Sequence, residues 1–369
     1  MPTVDARTLA ARGGVAGAIG AGWVLAGYPV SLLLARPRTP AALPGGATPA
    51  VSVLVCAASR SQPLEAKLEA LRHDGYPADR VQLVAALDGD EALRTVTLRT
   101  WPAATVSFSA ERRGKARALI DALALVTGEI VVLTDADNVL TPGSLTAAVR
   151  HFADPAVWGV AGRRGETGSA YDRYEDVVRR LESRSGSVAA ASGEFLAVRA
   201  DRLRPLPADV VNDDLWILLD LLARGGRVVY EPAAGGVEAA LDPARELERR
   251  ARIGAGRMQL VGELRRLPPS AAWRVLNHKI ARLALPFLLL AGLVGLPAGR
   301  GRLGRSVAAA EVVVLGVGIA HARGRRPRRR YARLLTGACA QVVVGLAATA
   351  RGLGRALTGR QAAIWQAVR

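Results

Sequence analysis

Cysteine is nearly absent: the 369-residue chain carries two. Two cysteines cannot staple a small secreted scaffold. Cys56 follows an apolar segment and Cys339 lies inside another, so both read as small buried hydrophobes in a reduced, cytoplasmic setting. Histidine is scarce too. His73, His151, His278 and His321 are scattered and show no metal-ligand spacing, so none is assigned a role. No Ser/His or Cys/His constellation suggests a covalent nucleophile. Aromatic residues make up 4% of the chain. That leaves little on which to stack bases. A net charge of +18 therefore does not read as a nucleic-acid footprint. Lysine is almost missing: Lys67, Lys115 and Lys279 are the only ones, and arginine supplies the rest of the positive charge. No internal repeat is evident.

Long uncharged stretches are plentiful. They cover residues 13–35, 283–299, 306–320 (broken by Glu311) and 334–350. Each of the longer ones suffices to cross a bilayer. The first is too long for the core of a cleavable signal peptide, and the C-terminal half is apolar as well. Between the first and second runs the composition is that of a soluble domain. The spacing predicts a membrane helix in 1–38, a linker in 39–49, a soluble domain in 50–267, an interfacial helix in 268–282, three membrane helices in 283–350 and a basic tail in 351–369. The densest basic run, residues 323–330, lies between two apolar stretches, where the positive-inside rule puts a cytoplasmic loop. Three spans after a cytoplasmic domain then leave the tail outside, against that rule. Glu311 is expected to pair with a neighbouring arginine or helix, and Gly316 and Gly318 to permit close helix packing.

The soluble part alternates strand and helix patterns. Residues 51–56, 81–87, 105–108 and 130–134 read as short buried strands, with helical spacing at 64–73 and 115–123. That alternation predicts a mostly parallel α/β sheet, with ligands beyond the carboxyl ends of the strands. Two acidic motifs fall at such ends: Asp88-Gly89-Asp90, and Asp135-Ala136-Asp137 after the apolar run Ile130–Thr134. Side chains two residues apart in an extended segment point the same way, so Asp135 and Asp137 can share a hard divalent cation. The bland alternative is that one of them caps the helix near residues 141–143. Asn212-Asp213-Asp214 opens an apolar helix, where capping is the simplest role. A basic helix follows at 247–264, with Arg249, Arg250, Arg252 and Arg257.

Taken in order, these motifs resemble the membrane-associated glycosyltransferases of family two. Relatives are the cellulose, chitin and hyaluronan synthases and the ceramide glucosyltransferases. The resemblance covers about residues 50–265. It rests on Asp88-Gly89, on Gly114-Lys115-Ala116 with Ala118-Leu119, on Asp135-Ala136-Asp137, on Asn212-Asp213-Asp214 ahead of Gly225-Gly226-Arg227, and on Arg249-Arg250-Ala251-Arg252 with Gly256 and Gln259. It implies an α/β GT-A (nucleotide-diphospho-sugar transferase) domain with transmembrane helices on both sides. It also implies inverting transfer of a sugar from a nucleotide sugar, a UDP-sugar first, to a lipid or glycan acceptor at the cytoplasmic membrane face. By the same resemblance Asp135 and Asp137 hold Mg2+ or Mn2+. Asp88, Lys115, Asp135, Arg250 and Arg252 contact the donor. Asp214 is the catalytic base, with Asp213 capping the helix or orienting the acceptor. Two departures stand out. The first strand ends Cys56-Ala57-Ala58-Ser59-Arg60-Ser61, where the family has Asn-Glu. Ile253 stands where the processive synthases have the tryptophan of Q-x-x-R-W. The second departure favours transfer of one or a few sugars over chain extension. A processive synthase, or a relative that binds nucleotide without catalysis, is the alternative.

Overall fold

The computed structural model describes residues 5–38, 48–59, 63–165, 170–238, 243–299, 301–325 and 327–359. Most of the expected linker, Arg60 and Ser61, and the end of the tail lie outside them.

At the centre is β1 (Val51–Ala57), buried along its whole length. It pairs in parallel with β2 (Val81–Asp88) on one side and β4 (Ile130–Asp135) on the other, and β3 (Thr105–Ser109) extends the parallel half. The uninterrupted apolar runs of β1 and β4 follow from this, since both of their faces are covered. Beyond β4 the sheet becomes mixed. β7 (Leu196–Arg199) runs antiparallel between β4 and β6 (Val157–Arg163), and β8 (Arg227–Glu238) pairs in parallel with β6. A short β5 (Asn138–Leu140) closes the edge antiparallel to β8, giving the order β3-β2-β1-β4-β7-β6-β8-β5. The sequence predicts the parallel half, and residues 157–161, 192–199 and 227–230 also read as strand; β5 is short and has no periodicity of its own.

One face of the sheet packs against α4 (Lys115–Leu123) and α7 (Asp213–Ala223). The other packs against α2 (Leu64–Arg72), which follows α1 (Ala6–Leu33) in the chain, and α5 (Ser144–Val149). In α2 the buried residues Leu64, Leu68 and Leu71 make a single stripe at helical spacing. The sequence reading passes over α3 (Glu91–Thr100), which Asp90 caps by accepting from the backbone N–H of Ala92.

The apolar helices attach to this domain through α6 (Ala170–Ser185). Three helices among the described residues are long and apolar enough to cross a membrane: α1, α9 (Pro269–Ala298) and α10 (Arg302–Ala322). α1 and α9 touch backbone to backbone. A Cβ on Gly14 would stand 2.3 Å from the Leu296 nitrogen, and one on Gly295 would stand 2.3 Å from the Ala10 carbonyl. Only hydrogen fits between them. Where the sequence suggests a separate interfacial helix at 268–282, the chain runs straight into α9. Its first turns dock on α6: Glu182 accepts from the Tyr28 hydroxyl at 2.5 Å and lies 2.9 Å from His278 Nδ1. Trp23 Nε1 donates to Asn277 at 2.7 Å.

The last helix differs most from expectation. α11 (Arg330–Leu357) lies along α8 (Pro243–Gln259) instead of standing apart as a third span. A Cβ on Gly352 would stand 2.5 Å from the Ala251 carbonyl. Arg351 and Arg355 both pair with Glu248, and Gln341 accepts from Arg250 at 2.8 Å. The arginines expected outside are thus held against the α/β domain. Of the two glycines expected to aid packing, Gly318 meets the Cys339 carbonyl and Gly316 meets nothing. Glu311 finds no arginine among the described residues but packs on a neighbouring helix: a Cβ on Gly292 of α9 would stand 2.9 Å from its Oε1, and its Oε2 is buried without a hydrogen-bond partner among the described residues.

A buried carboxylate ties α5 and the turn after it to β8. Glu231 lies 2.7 Å from His151 Nε2 and 2.5 Å from Arg150, and accepts from the Ala233 N–H at 2.8 Å. Burial alone would raise its pKa. The bonds from His151, Ala233 and Arg150 outweigh burial and bring it from 4.5 to about 2. A carboxyl depressed in the folded state contributes stability above its unfolded pKa, and that stability is lost as pH falls through the folded value. Acid unfolding in detergent between pH 4.5 and 2 is therefore expected to be shallower in Glu231→Gln than in the wild type; superimposable acid limbs would contradict this.

Candidate active site

The carboxyl ends of β1, β2 and β4 form one shelf. In register, Cys56 stands beside Ala86 and Asp135, with Asp88 ending β2. A cleft opens there, lined by Cys56, Lys115, Leu119, Leu133, Thr134, Asp135, Gly193, Leu196, Asp213 and Asp214.

Lys115 is the hub. Its Nζ lies 2.7 Å from Asp135 Oδ1 and 2.9 Å from Asp213 Oδ2. It thereby joins the end of β4 to the first turn of α7. Burial works against its charge, but Asp135 and Asp213 outweigh burial and raise its pKa well above the ordinary value. The backbone delivers Lys115 by a second use of charge. Asp88, 2% exposed, accepts from the N–H groups of Arg113 at 2.8 Å and Gly114 at 2.9 Å. Gly114 has φ +92°, the left-handed region that glycine tolerates best. So Asp88, read as a donor contact, spends both oxygens on the loop that aims Lys115.

Asp135 ends β4, and Asp137 sits in the turn before β5. Neither caps the following helix, whose N-cap is Gly143 without a side-chain bond. Burial, with Asp137 and Asp213 nearby, raises the Asp135 carboxyl to about 7 despite Lys115. Glu194 and Glu238 crowd the same turn. Burial and then Asp137 push the Glu238 carboxyl up to about 9, although Arg249 donates to both its oxygens at 2.8 Å. Asp137 Oδ1 is buried with no hydrogen-bond partner among the described residues. No group of three or more His, Cys, Asp or Glu is poised to hold a metal by itself among the described residues. The arrangement fits a hard divalent cation of the Mg2+ or Mn2+ type. Such ions take one or two carboxylates and complete their shell with water and substrate phosphates, and the orphaned oxygen and crowded acids need positive charge.

Asp214, one residue beyond the Lys115 bridge, faces the cleft with Oδ1 accepting from the Leu215 N–H at 2.7 Å. Burial and then Asp213 raise its pKa. The N-cap expected of Asn212 is made by position only. Its side chain donates instead to the Ile253 carbonyl at 3.0 Å and packs on Gly256, where a Cβ would stand 2.6 Å from Asn212 Cγ. Gln259 accepts from the Val211 N–H at 3.0 Å and donates to the Asp209 carbonyl at 2.9 Å. Gly256 and Gln259 therefore hold the base-bearing segment in place. Arg250 and Arg252 do not line the cleft. Arg250 is held by Glu246 at 2.5 Å and Gln341 at 2.8 Å, with its guanidinium 5.5 Å from the Tyr171 ring.

Two residues escaped the sequence reading. Lys67, fully buried on α2, donates to Thr134 Oγ1 at 2.6 Å and to Asn138 Oδ1 at 2.8 Å and its carbonyl at 3.1 Å. It grips the acidic turn from both flanks. Burial brings its ammonium down to about 7 against the pull of Asp135 and Asp137. The only signal in the sequence is a lysine on the apolar stripe of α2. Gly193 is the second: a Cβ there would stand 2.5 Å from Asp135 Oδ2 and 3.2 Å from Lys115 Nζ. Cys56 lines the cleft, but burial pushes its thiol pKa up, which disqualifies it as a nucleophile.

This mixed α/β sheet, with its acidic turn at the end of a central strand, is a GT-A-like fold. Residues 49–277 match the model of the family described as glycosyltransferase like family 2, and the chain belongs to that family. No protein of curated function matches the sequence. Among solved structures the chain is similar to a mannosyltransferase from Pyrobaculum calidifontis, in complex with GDP-Man and Mn2+. The TM-score is 0.74 at 22% identity, over 95% of this chain and 99% of that one. It also superposes on a glucosyl-3-phosphoglycerate synthase from Mycobacterium tuberculosis with Mn2+, UDP-glucose and phosphoglyceric acid. There the TM-score is 0.43 at 19% identity, over 62% of this chain and 86% of that one.

Lys67→Met is expected to lower stability by about 1–3 kcal/mol through its stranded acceptors. Any metal-dependent turnover should fall about 10–100-fold, as when a supporting partner of a metal ligand is lost. Gly193→Ala should lower turnover with less loss of stability, because its methyl displaces only the Asp135 and Lys115 side chains. Turnover and thermal denaturation of both variants check this. Full activity in both would remove the acidic turn from the active site.

Proposed function

We propose that the chain is an inverting, metal-dependent glycosyltransferase that moves a sugar from a nucleotide-sugar donor to a lipid or glycan acceptor. The observation that carries the reading is the Lys115 bridge, which puts Asp135, two residues before Asp137, and the helix-start pair Asp213 and Asp214 around one cleft. Asp135 and Asp137 are the residues to hold Mg2+ or Mn2+. Bound there, the ion would neutralise charge growing on the leaving diphosphate. Lys115 adds fixed positive charge beside the same diphosphate. Asp214, with its raised pKa, accepts the proton of the attacking acceptor hydroxyl. The bond from the anomeric carbon to the diphosphate breaks as the bond to the acceptor oxygen forms. A single displacement inverts the anomeric centre and needs no covalent nucleophile. Both UDP-sugars and GDP-sugars are candidate donors, and a screen of the two sets for metal-dependent nucleotide release separates them. Ile253 in place of the synthase tryptophan supports one or a few transfers over processive extension.

Asp214→Asn is expected to lower transfer about 10²–10⁴-fold, the usual loss with a general base, while donor affinity holds. Asp213→Asn keeps a hydrogen bond to Lys115 and should cost less. Asp137→Asn should abolish transfer in a folded protein at saturating Mn2+ and Mg2+. If Asp213→Asn is the inactive variant and Asp214→Asn stays active, the base is Asp213. If Asp137→Asn turns over normally, the metal assignment is wrong.

The reading extends to the membrane. With the domain cytoplasmic, α1 enters from outside, α9 leaves and α10 returns. Residues 323–330 are then inside, as is α11, held to the domain by Glu248. This count puts the basic loop and the tail inside, as the positive-inside rule wants, and leaves the arginines of residues 299–305 outside, against it. A cysteine replacing Arg325 should resist an impermeant thiol reagent in intact cells and react after permeabilisation. Labelling in intact cells would invert the topology.

A further inference from the structure

One group of charges has no part in the cleft. It lies where α6, α8 and α9 meet. Glu175 on α6 is buried and has Arg179 at 3.9 Å, Lys279 at 3.5 Å and Arg282 in direct contact. His278 is divided between Glu175 at 3.2 Å and Glu182 at 2.9 Å, so it adds no carboxylate capacity. One carboxylate therefore answers three cations. Arg179 is 5% exposed, and its buried Nε has no hydrogen-bond partner among the described residues. Lys279 is 7% exposed. Its ion pair with Glu175 is longer than a hydrogen bond. The Arg257 side chain on α8 makes no hydrogen bond or ion pair with the described residues, and Tyr171, Arg282, Glu175 and Asp214 are its ionisable neighbours. Burial alone would raise the Glu175 carboxyl. Arg282, Lys279 and His278 overwhelm burial and hold it well below the usual range, the mark of a surplus of positive charge.

Arg257 and Arg282 are half-buried, and cations withdrawn from water in excess are costly unless an anion completes them. The surplus adjoins Asp214, the base, which has Lys279 among its charged neighbours, and Arg179 reaches toward Glu194 beside the acidic turn. It also sits where the apolar part of α9 begins, at Leu283, the depth at which a lipid headgroup meets the protein. We propose that Arg179, Arg257, Lys279 and Arg282 form a binding site for a phosphate carried by the acceptor, on a lipid, so that the acceptor's reacting oxygen comes to Asp214. This deepens the glycosyltransferase reading and rests on it for the word acceptor. The shared chemistry is a phosphate ester, and a water-soluble phosphorylated acceptor would satisfy the same cations.

The test uses the full chain in phosphatidylcholine nanodiscs, without nucleotide sugar, so it stands apart from the test of transfer. Binding of geranyl phosphate, geraniol and glycerol 3-phosphate is measured in wild type, Arg257→Gln, Arg257→Lys and Lys279→Met. Geranyl phosphate should bind saturably and geraniol should not. Affinity should fall at least about tenfold in Arg257→Gln and Lys279→Met, as when a charge-assisted contact is lost, and recover in part in Arg257→Lys. Thermal denaturation of each variant verifies the fold, and the lysine variant serves if the glutamine one does not fold. Glycerol 3-phosphate binding as tightly as geranyl phosphate supports the phosphate site and assigns it to a soluble ester. Equal binding of geraniol and geranyl phosphate, or wild-type affinity in both charge-removing variants, overturns the proposal.

Discussion

A single buried ammonium, that of Lys115, holds the site together. It pairs with Asp135 from the sheet and Asp213 from α7, two segments nearly eighty residues apart in the chain. Removing one member of such a cluster leaves a buried charge uncompensated, which costs far more than the intact cluster contributes. The geometry of the neighbouring groups follows from that demand. Asp88 spends its carboxylate on the Gly114 loop so that Lys115 points inward. Gly193 lacks a side chain because the paired carboxylate and ammonium occupy the space. Lys67 clamps the acidic turn from beneath.

The same constraint shapes the junction with the apolar helices. Tyr28 from α1 and His278 from α9 meet on Glu182, a fully buried carboxylate of α6. Bonds to His278, Tyr28 and the Ala189 N–H satisfy it and, against burial, keep its pKa below the ordinary value. The apolar helices are thereby fixed to the domain by specific polar contacts as well as by packing. Backbone contact at Gly14 and Gly295 then sets the α1–α9 spacing. α11 completes the arrangement by covering α8, and its arginines reach the domain through Glu248.

Much of this was legible in the chain. The apolar runs of β1 and β4 announced strands covered on both faces, and the acids following β2 and β4 fell at strand ends. The family and the GT-A-like fold stand as the motifs suggested, since residues 49–277 match the family model. Asp88, Arg250 and Asn212 were given roles from their place in a motif, and each side chain also has a partner from another part of the chain that no motif shows: the Gly114 loop, Gln341 and Ile253. Likewise the run 334–350 is apolar enough to suggest a span, and its contact with Arg250 through Gln341, followed by that of Gly352 with Ala251, shows that the helix lies along α8.

Local sequence by itself determined the strands of the parallel half, the acidic turn, the helix opening at Asp213 and the apolar helices, because hydrophobic periodicity and turn residues act over a few neighbours. Tertiary structure alone decided which charges meet. Lys67 on a helix stripe and Glu194 after a turn have no local mark of function. They belong to the site because burial forces each charge to find a partner, and that partner is chosen by the packing of distant segments.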